Sequence, residues 1–355
     1  MSLRALGWNS FFEDAFKPLA REGQVPARVA VQHRGGYEVW TAKDVLAADV
    51  SGRFRHNTRV PSDFPAVGDW VVIEPLPGEE RAVIHAVLPR RTKFSRTAAG
   101  MVTEEQLVAA NVDEVFVMES LAFSPNLRRI ERFLTLARDH RTVPAVVLTK
   151  ADLCGDVPAM VRLVTEIARE ATVLAICSLN GQGLDKVKKH LKKGRTIALL
   201  GPSGVGKSTM INCLAGEESQ PVQPVREDDQ KGRHTTTQRE MVFLPGGSVM
   251  IDTPGLRELQ LWEGSQGLEA TFIDIETLAA RCRFADCRHE TEPGCAVREA
   301  IQSGELDQNR LAAFQKLRSE VAQFAQRRAT RSRSEERRRS RTGPRSGDRE
   351  RFERE

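Results

Sequence analysis

The nine residues GPSGVGKST, Gly201 to Thr209, constrain this chain more than any other stretch. They match G-x-x-x-x-G-K-[S/T], follow the apolar run Thr196 to Leu200 and lead into the helix-compatible TMINCLAG. Such a loop turns its backbone N–H groups inward around a phosphate. It does so between a strand and a helix whose N-terminus adds the positive end of its dipole, so an α/β layer is implied. Gly201, Pro202, Ser203, Gly204, Val205 and Gly206 are expected to wrap the β-phosphate, with Thr209 opening the helix behind them. Lys207 reaches the β- and γ-oxygens, a binding and a catalytic role, and Ser208 offers its hydroxyl to Mg²⁺.

The base-reading element decides between ATP and GTP. TKAD, Thr149 to Asp152, closes the apolar run Val143 to Leu148 and resembles the N/T-K-x-D motif of GTPases. Asp152 would accept two hydrogen bonds from guanine donors that adenine lacks, at ~1.5–3 kcal/mol for each charge-assisted bond. Lys150 would lay its stem over the base, with Thr149 and Ala151 completing the loop. CSLNGQG supplies Ser178, Leu179 and Asn180, which resemble the second guanine loop. DTPG matches D-x-x-G: Asp252 is placed to hold Mg²⁺ through water, and the Gly255 N–H to meet the γ-phosphate. Upstream, GRHTTTQRE offers Thr235, Thr236 and Thr237 as switch hydroxyls. The motif order is TKAD, SLNG, GPSGVGKST, GRHTTT, DTPG, whereas a usual small GTPase begins with the phosphate loop. The order describes a circular permutation.

Apolar runs alternating with helical stretches from about 112 to 260 read as a parallel α/β sheet. In SPNLRRIERFLTLARD, Leu127, Ile130, Phe133, Leu134 and Ala137 share one helical face, and Arg128, Arg129, Glu131 and Arg132 form a solvated one. Before it, ARVAVQH, YEVWTA, VLAADVSGRF, DWVVIEP and RAVIHAV have the spacing of a small antiparallel barrel, OB-type or SH3-like. Its edges carry Arg53, Arg55, Arg59, Arg90, Arg91, Lys93 and Arg96, and Trp40 and Trp70 are core or stacking platforms. The expected fold is multidomain: an OB-like β-barrel, a circularly permuted α/β P-loop GTPase domain and a small α-helical zinc domain. The divisions fall at 1–24 (N-terminal extension), 25–97 (RNA-binding barrel), 98–264 (GTPase), 265–325 (zinc-binding helices) and 326–355 (tail). No run approaches the ~18 apolar residues of a membrane span. Residues 327–355 hold 12 Arg against 6 acidic residues, a local +6 in a chain of net charge +5. With Phe352 its one bulky apolar residue, the tail is expected to be disordered.

Cys282, Cys287, His289 and Cys295 fall within fourteen residues as C-x₄-C-x-H-x₅-C. Three thiolates and an imidazole close a tetrahedral Zn²⁺ shell with no open position, so the site is structural. Cys154, Cys177 and Cys213 sit in apolar segments and read as small buried fillers in a reducing compartment.

The basic barrel, the permuted motifs, SPNLRRIERFL, GRHTTTQRE, DTPGLREL and the Cys/His cluster together resemble the bacterial ribosome small-subunit-dependent GTPases of the RsgA or YjeQ type. The resemblance implies a cytoplasmic, monomeric enzyme that binds the 30S subunit and its 16S rRNA, and converts GTP to GDP under stimulation by that subunit late in its maturation. It has no membrane role. Leu256 stands where water-orienting GTPases commonly carry Gln, so His234 is the candidate for positioning the water, with Arg233 and Arg239 as charge-stabilising alternatives. Two other readings stay open: a nucleotide-sensing RNA-binding module with incidental turnover, and a P-loop ATPase acting on DNA, against which Asp152 speaks.

Overall fold

In the computed structural model the described residues are 2–33, 35–58, 60–97, 105–216, 239–252 and 266–341. Helix α1 (Ser10–Phe16) is capped by Asn9, whose side chain accepts the Phe11 N–H. Strands β1 (Val25–Gln32), β2 (Tyr37–Trp40), β3 (Val45–Val50), β4 (Trp70–Pro75) and β5 (Arg81–Val87) close a barrel in the order β1-β2-β3-β5-β4-β1, with β3 and β5 parallel. This is the OB-like arrangement. One expected strand is shorter than its sequence suggested. VLAADVSGRF stops at Val50 because Ser51 accepts the Phe54 N–H and starts helix α2 (Gly52–Asn57), on which Arg53 and Arg55 are exposed. Trp40 and Trp70 are both buried, which settles them as core.

A two-stranded ribbon, β6 (Lys93–Thr97) and β7 (Glu105–Ala110), leads into β8 (Glu114–Ser120), α3 (Leu127–Asp139), β9 (Val143–Thr149), α4 (Val157–Ala168), β10 (Thr172–Ala175), α5 (Leu184–Lys188), β11 (Thr196–Leu200), α6 (Lys207–Ala215), β12 (Arg239–Phe243) and β13 (Val249–Asp252). Strands β10, β9, β8, β11 and β13 are parallel neighbours, and β12 is antiparallel to β13. The pleat divides their side chains between two helix layers. Val115 and Val117 of β8 pack in the cluster that holds α3 and α4, while Phe116 and Met118 pack with α5 and α6. The helices α7 (Gln266–Thr271), α8 (Ile273–Ala279), α9 (Ala296–Gln302) and α10 (Gln308–Arg341) follow.

Barrel and parallel sheet are hydrogen-bonded into one eleven-stranded sheet, which the sequence did not reveal. The first half of β1, Val25 to Arg28, pairs with β4, and past a bulge at Val29/Val31 its second half pairs with β12 through Val31–Glu240 and Gln32–Arg239. Arg28 sits at that handover, 1% exposed. Its Nε donates to Gly68 O at 3.2 Å, Nη2 to Asn111 O at 3.2 Å and Nη1 to Leu6 O, and its guanidinium lies 5.6 Å from the Trp70 ring. Burial lowers its pKa to about 10, opposed by Asp113 and Asp69, so it is charged at neutral pH. Trp8 and Phe12, at 4.7 and 5.8 Å from Trp70, seal this end of the barrel. Arg90, expected on an RNA-facing edge, is structural. It forks onto buried Asp69 at 2.8 and 2.7 Å and donates to the carbonyls of Ser62 and Phe64 at 2.7 and 2.9 Å.

The polar face of α3 is solvated only in part: Arg128 is exposed as expected, but its neighbours are covered. Buried Glu131 accepts from Arg310 of α10 at 2.7 Å, and Arg132 reaches Glu320 at 2.6 Å. Arg310 also forks onto Asp274 of α8 at 2.5 and 2.9 Å. Burial pushes the Glu131 carboxyl up to about 7 despite Arg310. Burial of Asp274 is outweighed by bonds and charge from Arg310 and Arg169, which hold it below its usual range. Asp139 accepts the Gly267 N–H at 2.7 Å, and a Cβ on Gly267 would meet Thr135 O at 2.3 Å, so only glycine lets α7 approach α3 this closely.

The tail also differs from its expectation. From 326 to 341 the chain continues α10, and 342–355 lie outside the described residues. Low hydrophobicity argues against burial, but adding turns to a helix whose nucleus is already packed needs no burial, and Arg, Gln, Glu and Ala are good helix formers. No helix among the described residues is long and apolar enough to cross a membrane.

Replacing Arg28 by Met leaves the buried carbonyls of Leu6 and Asn111 without their donor, and Gly68 O with the Asn111 side-chain amide alone, and should lower the unfolding free energy by roughly 3–5 kcal/mol. Chemical denaturation followed by far-UV dichroism measures this; an unchanged midpoint and slope would refute the role given to Arg28.

Candidate functional site

The parallel strands end at Ser120, Thr149, Ala175, Leu200 and Asp252, and the register pairs Ser120 with Thr149, Leu148 with Ala175, and Leu199 with Asp252. All five C-terminal ends therefore share one edge, where open α/β sheets place their ligands. The phosphate loop leaves β11 here. A Cβ on Gly201 would lie 2.7 Å from Met118 O, and Gly204 and Gly206 have φ of +74° and +102°, conformations that favour glycine. Gly206 caps α6, whose first residue is Lys207. The Lys207 ammonium folds over the loop and donates to Gly201 O at 3.1 Å and Pro202 O at 3.0 Å. Pro202, Ser203, Ser208 and Thr209 are half-buried or exposed around it, and Val205 is buried beneath.

Three cross-ties bring the other motifs to this loop. Thr149 Oγ1 donates to Val205 O at 2.6 Å, with Glu119 O 3.3 Å away. The Ala151 N–H donates to Ile176 O at 3.0 Å and fastens TKAD to the SLNG loop. The Cys213 thiol of α6 lies 3.1 Å from Ser178 O and fastens SLNG to the helix behind the phosphates. Lys150, at φ +56°, turns the chain so that Asp152 is exposed at the edge. The SLNG loop is closed by Cys177 N–H to Gln182 O at 2.9 Å, and Asn180 Oδ1 accepts the Gln182 N–H at 3.0 Å, leaving Leu179 83% exposed.

Side chains so arranged divide into frame and surface. Thr149 is 2% exposed and its hydroxyl is spent on the phosphate loop, so it positions that loop rather than facing a base. Glu119, buried at the end of β8, pairs with Arg129 and accepts from it at 2.9 Å. Neither role is visible in the sequence, because a Thr or Glu at a strand end carries no motif that names its partner. Cys177 is buried as expected, but Cys213 is exposed and Cys154 half-buried. Asp252 is 2% exposed at the edge of β13, beside Glu240 of β12. Arg239 opens β12 next to it. Arg233, His234, Thr235, Thr236, Thr237, Gly255 and Leu256 lie outside the described residues.

The second constellation lies among the C-terminal helices. Cys282 follows α8, Cys295 precedes α9, and Cys287 and His289 lie between them, with all four ligand atoms within 4.8 Å of one another. Cys282 Sγ is 3.9 Å from Cys295 Sγ and 3.7 Å from His289 Nδ1, and Cys295 Sγ is 3.4 Å from that nitrogen. Tetrahedral arms of ~2.3 Å set donors ~3.7 Å apart, so the group can hold one metal ion. Burial keeps the His289 imidazole below its usual range and hence neutral, the form that ligates. A cavity of about 370 Å³ adjoins the cluster, lined by Glu276, Phe284, His289, Phe314 and Arg318 among others.

Comparison with known proteins adds a third line. The RsgA GTPase family model matches residues 87–262. The chain is 46% identical over 336 residues to the small ribosomal subunit biogenesis GTPase RsgA of Opitutus terrae, covering 92% of each. It is similar in structure to the crystal structure of YjeQ from Thermotoga maritima, with a TM-score of 0.62 at 25% identity over 84% of this chain and 99% of the other. YloQ, a circularly permuted GTPase, shares the fold with a TM-score of 0.59 at 23% identity over 87% of this chain and 99% of the other.

Substituting Thr149 by Val removes the bond to the Val205 carbonyl at constant shape. At ~1 kcal/mol this should weaken guanine nucleotide binding by about 5- to 10-fold, with Thr149→Ser restoring most of it. Titration with a fluorescent GDP checks it, and equal affinity in the Val variant would remove Thr149 from the frame.

Proposed function

The chain belongs to the RsgA GTPase family, and on that premise we propose that it hydrolyses GTP when bound to the small ribosomal subunit, acting in the cytoplasm in late maturation of that subunit. The observation that carries this is the set of cross-ties between TKAD, SLNG and the phosphate loop, which places a carboxylate suited to guanine and a lysine suited to phosphate on one sheet edge. In this reading Asp152 accepts from the guanine edge, with Lys150, Ser178, Leu179 and Asn180 around the base. The backbone of Gly201 to Gly206 and the Lys207 ammonium hold the phosphates. Ser208 and Asp252 are the residues suited to Mg²⁺, which neutralises phosphate charge when bound.

Lacking a glutamine after DTPG, the chain relies on His234 to orient the water, and on one of Thr235, Thr236 and Thr237 as the switch hydroxyl. Without a partner to complete the site, turnover is slow; supplying one is worth ~10³–10⁵ in rate in related enzymes. We propose the division at 24, 97, 264 and 325 as that between N-terminal extension, RNA-binding barrel, GTPase, metal-binding helices and tail, in a monomer that touches 16S rRNA. The Cys₃His set favours Zn²⁺ over harder ions.

GTP turnover titrated with purified 30S subunits tests the function. Strong saturable stimulation is expected, and its loss in His234→Ala with GTP binding intact. No stimulation of the natural chain would favour a nucleotide-sensing RNA-binding module, and retained stimulation in the variant would free His234 of its role. For the metal, elemental analysis should find about one zinc per chain, and Cys287→Ser should lose it together with several degrees of thermal stability. A metal-free chain of the same stability would reject the assignment.

A further inference from the structure

Helix α10 changes character along its 34 residues. Its first half is a packing helix: Leu311, Phe314 and Leu317 are buried, Phe314 lies 5.5 Å from Phe272, and Arg310 and Glu320 hold α3. From Gln326 to Arg341 the sequence is QRRATRSRSEERRRSR, in which nothing apolar exceeds alanine. Residues 327–341 contain 8 Arg and 2 Glu, whereas 342–355 contain 4 Arg and 4 acidic residues. The +6 of the tail therefore resides wholly in the helical part and exceeds the +5 of the entire chain.

The charges are ordered by the helix. Arg327, Arg331, Ser334, Arg338 and Arg341 follow a 4-3-4-3 spacing, and at 100° per residue they occupy an arc of ~80° along ~21 Å of axis. That is the spacing of a coiled-coil seam, here with arginine where a partner helix requires apolar residues. An anionic membrane is a poor fit as well, because an interfacial helix needs an apolar face to insert. Like charges at i,i+4, as in Arg327/Arg331, Arg333/Arg337 and Arg337/Arg341, repel by ~0.2–0.5 kcal/mol a pair, and two glutamates cannot neutralise eight arginines. A row of phosphates removes that repulsion. Every basic residue in the segment is Arg and none is Lys, the choice that suits bidentate phosphate contacts.

We propose that residues 327–341 form a helical arm that lies along the phosphate backbone of duplex RNA, a contact additional to the barrel and the metal-binding helices. The proposal rests on the reading above that the chain works on a ribosomal subunit, and it deepens that reading by naming a surface and the RNA form it takes.

The test uses the full chain and a quadruple variant, Arg327→Gln with Arg331→Gln, Arg338→Gln and Arg341→Gln, which keeps helix propensity and removes the stripe. Binding to a 16-base-pair RNA duplex and to 30S subunits is measured between 50 and 300 mM salt, with phosphatidylserine vesicles in parallel. The variant should bind both RNAs at least tenfold more weakly at low salt, with the slope of log affinity against log salt reduced by about 2–4, and basal GTP turnover unchanged. An unchanged slope and affinity for the duplex would overturn the arm. So would a loss confined to the vesicles. If the natural chain binds the duplex through this stripe but ignores 30S subunits, the arm stands and the ribosomal reading fails; stimulation by 30S without any effect of the variant gives the reverse.

Discussion

One buried guanidinium ties together three parts of the chain that the sequence keeps far apart. Arg28 belongs to the barrel, yet its bonds run to Leu6 in the N-terminal segment, Gly68 between barrel strands and Asn111 just before the parallel sheet. A charge taken out of water is costly unless its donors are used, and here carbonyls from three segments use them. The same residue marks where β1 leaves β4 for β12. The closure of the barrel and its fusion with the GTPase sheet thus meet at one position.

The circular permutation becomes intelligible in this frame. In chain order the guanine loops come first and the phosphate loop later, but the parallel register puts their strand ends side by side. The contacts that fasten them are short and local: a hydroxyl to a carbonyl, an amide to a carbonyl, a thiol to a carbonyl. None depends on which strand the chain visits first. What the permutation alters is the neighbourhood of Asp252, whose strand is the last of the sheet before the C-terminal helices.

Much of this was legible in the sequence because its motifs combine residue type with backbone demand. Gly201, Gly204 and Gly206 are glycines for steric reasons, and the Cys282-to-Cys295 spacing reflects donors that must converge. Five strands of the barrel and five of the parallel sheet announced themselves through apolar runs. What escaped was pairing at a distance. Strand β12 is a short REMVF with no period, and nothing in it names β1 as its neighbour. Glu131 looked solvated because a helical wheel shows which residues share a face but not what covers it, and its cover, Arg310, is 179 residues away. The tail was misread from 326 to 341 because composition speaks to burial and not to the elongation of a helix already begun.

The two attachments of the GTPase layer differ in kind. On one side a backbone ladder between β1 and β12 makes barrel and sheet a single stiff plate. On the other, the C-terminal helices meet α3 through packed side chains: Leu268, Phe272, Phe314 and Leu317 share a buried cluster with Ile130, Phe133 and Leu134, and Arg310 and Arg132 pair with Glu131 and Glu320 at its border. A movement between barrel and sheet would therefore have to break ladder hydrogen bonds, whereas one between the sheet layer and the C-terminal helices would have to slide packed side chains past one another.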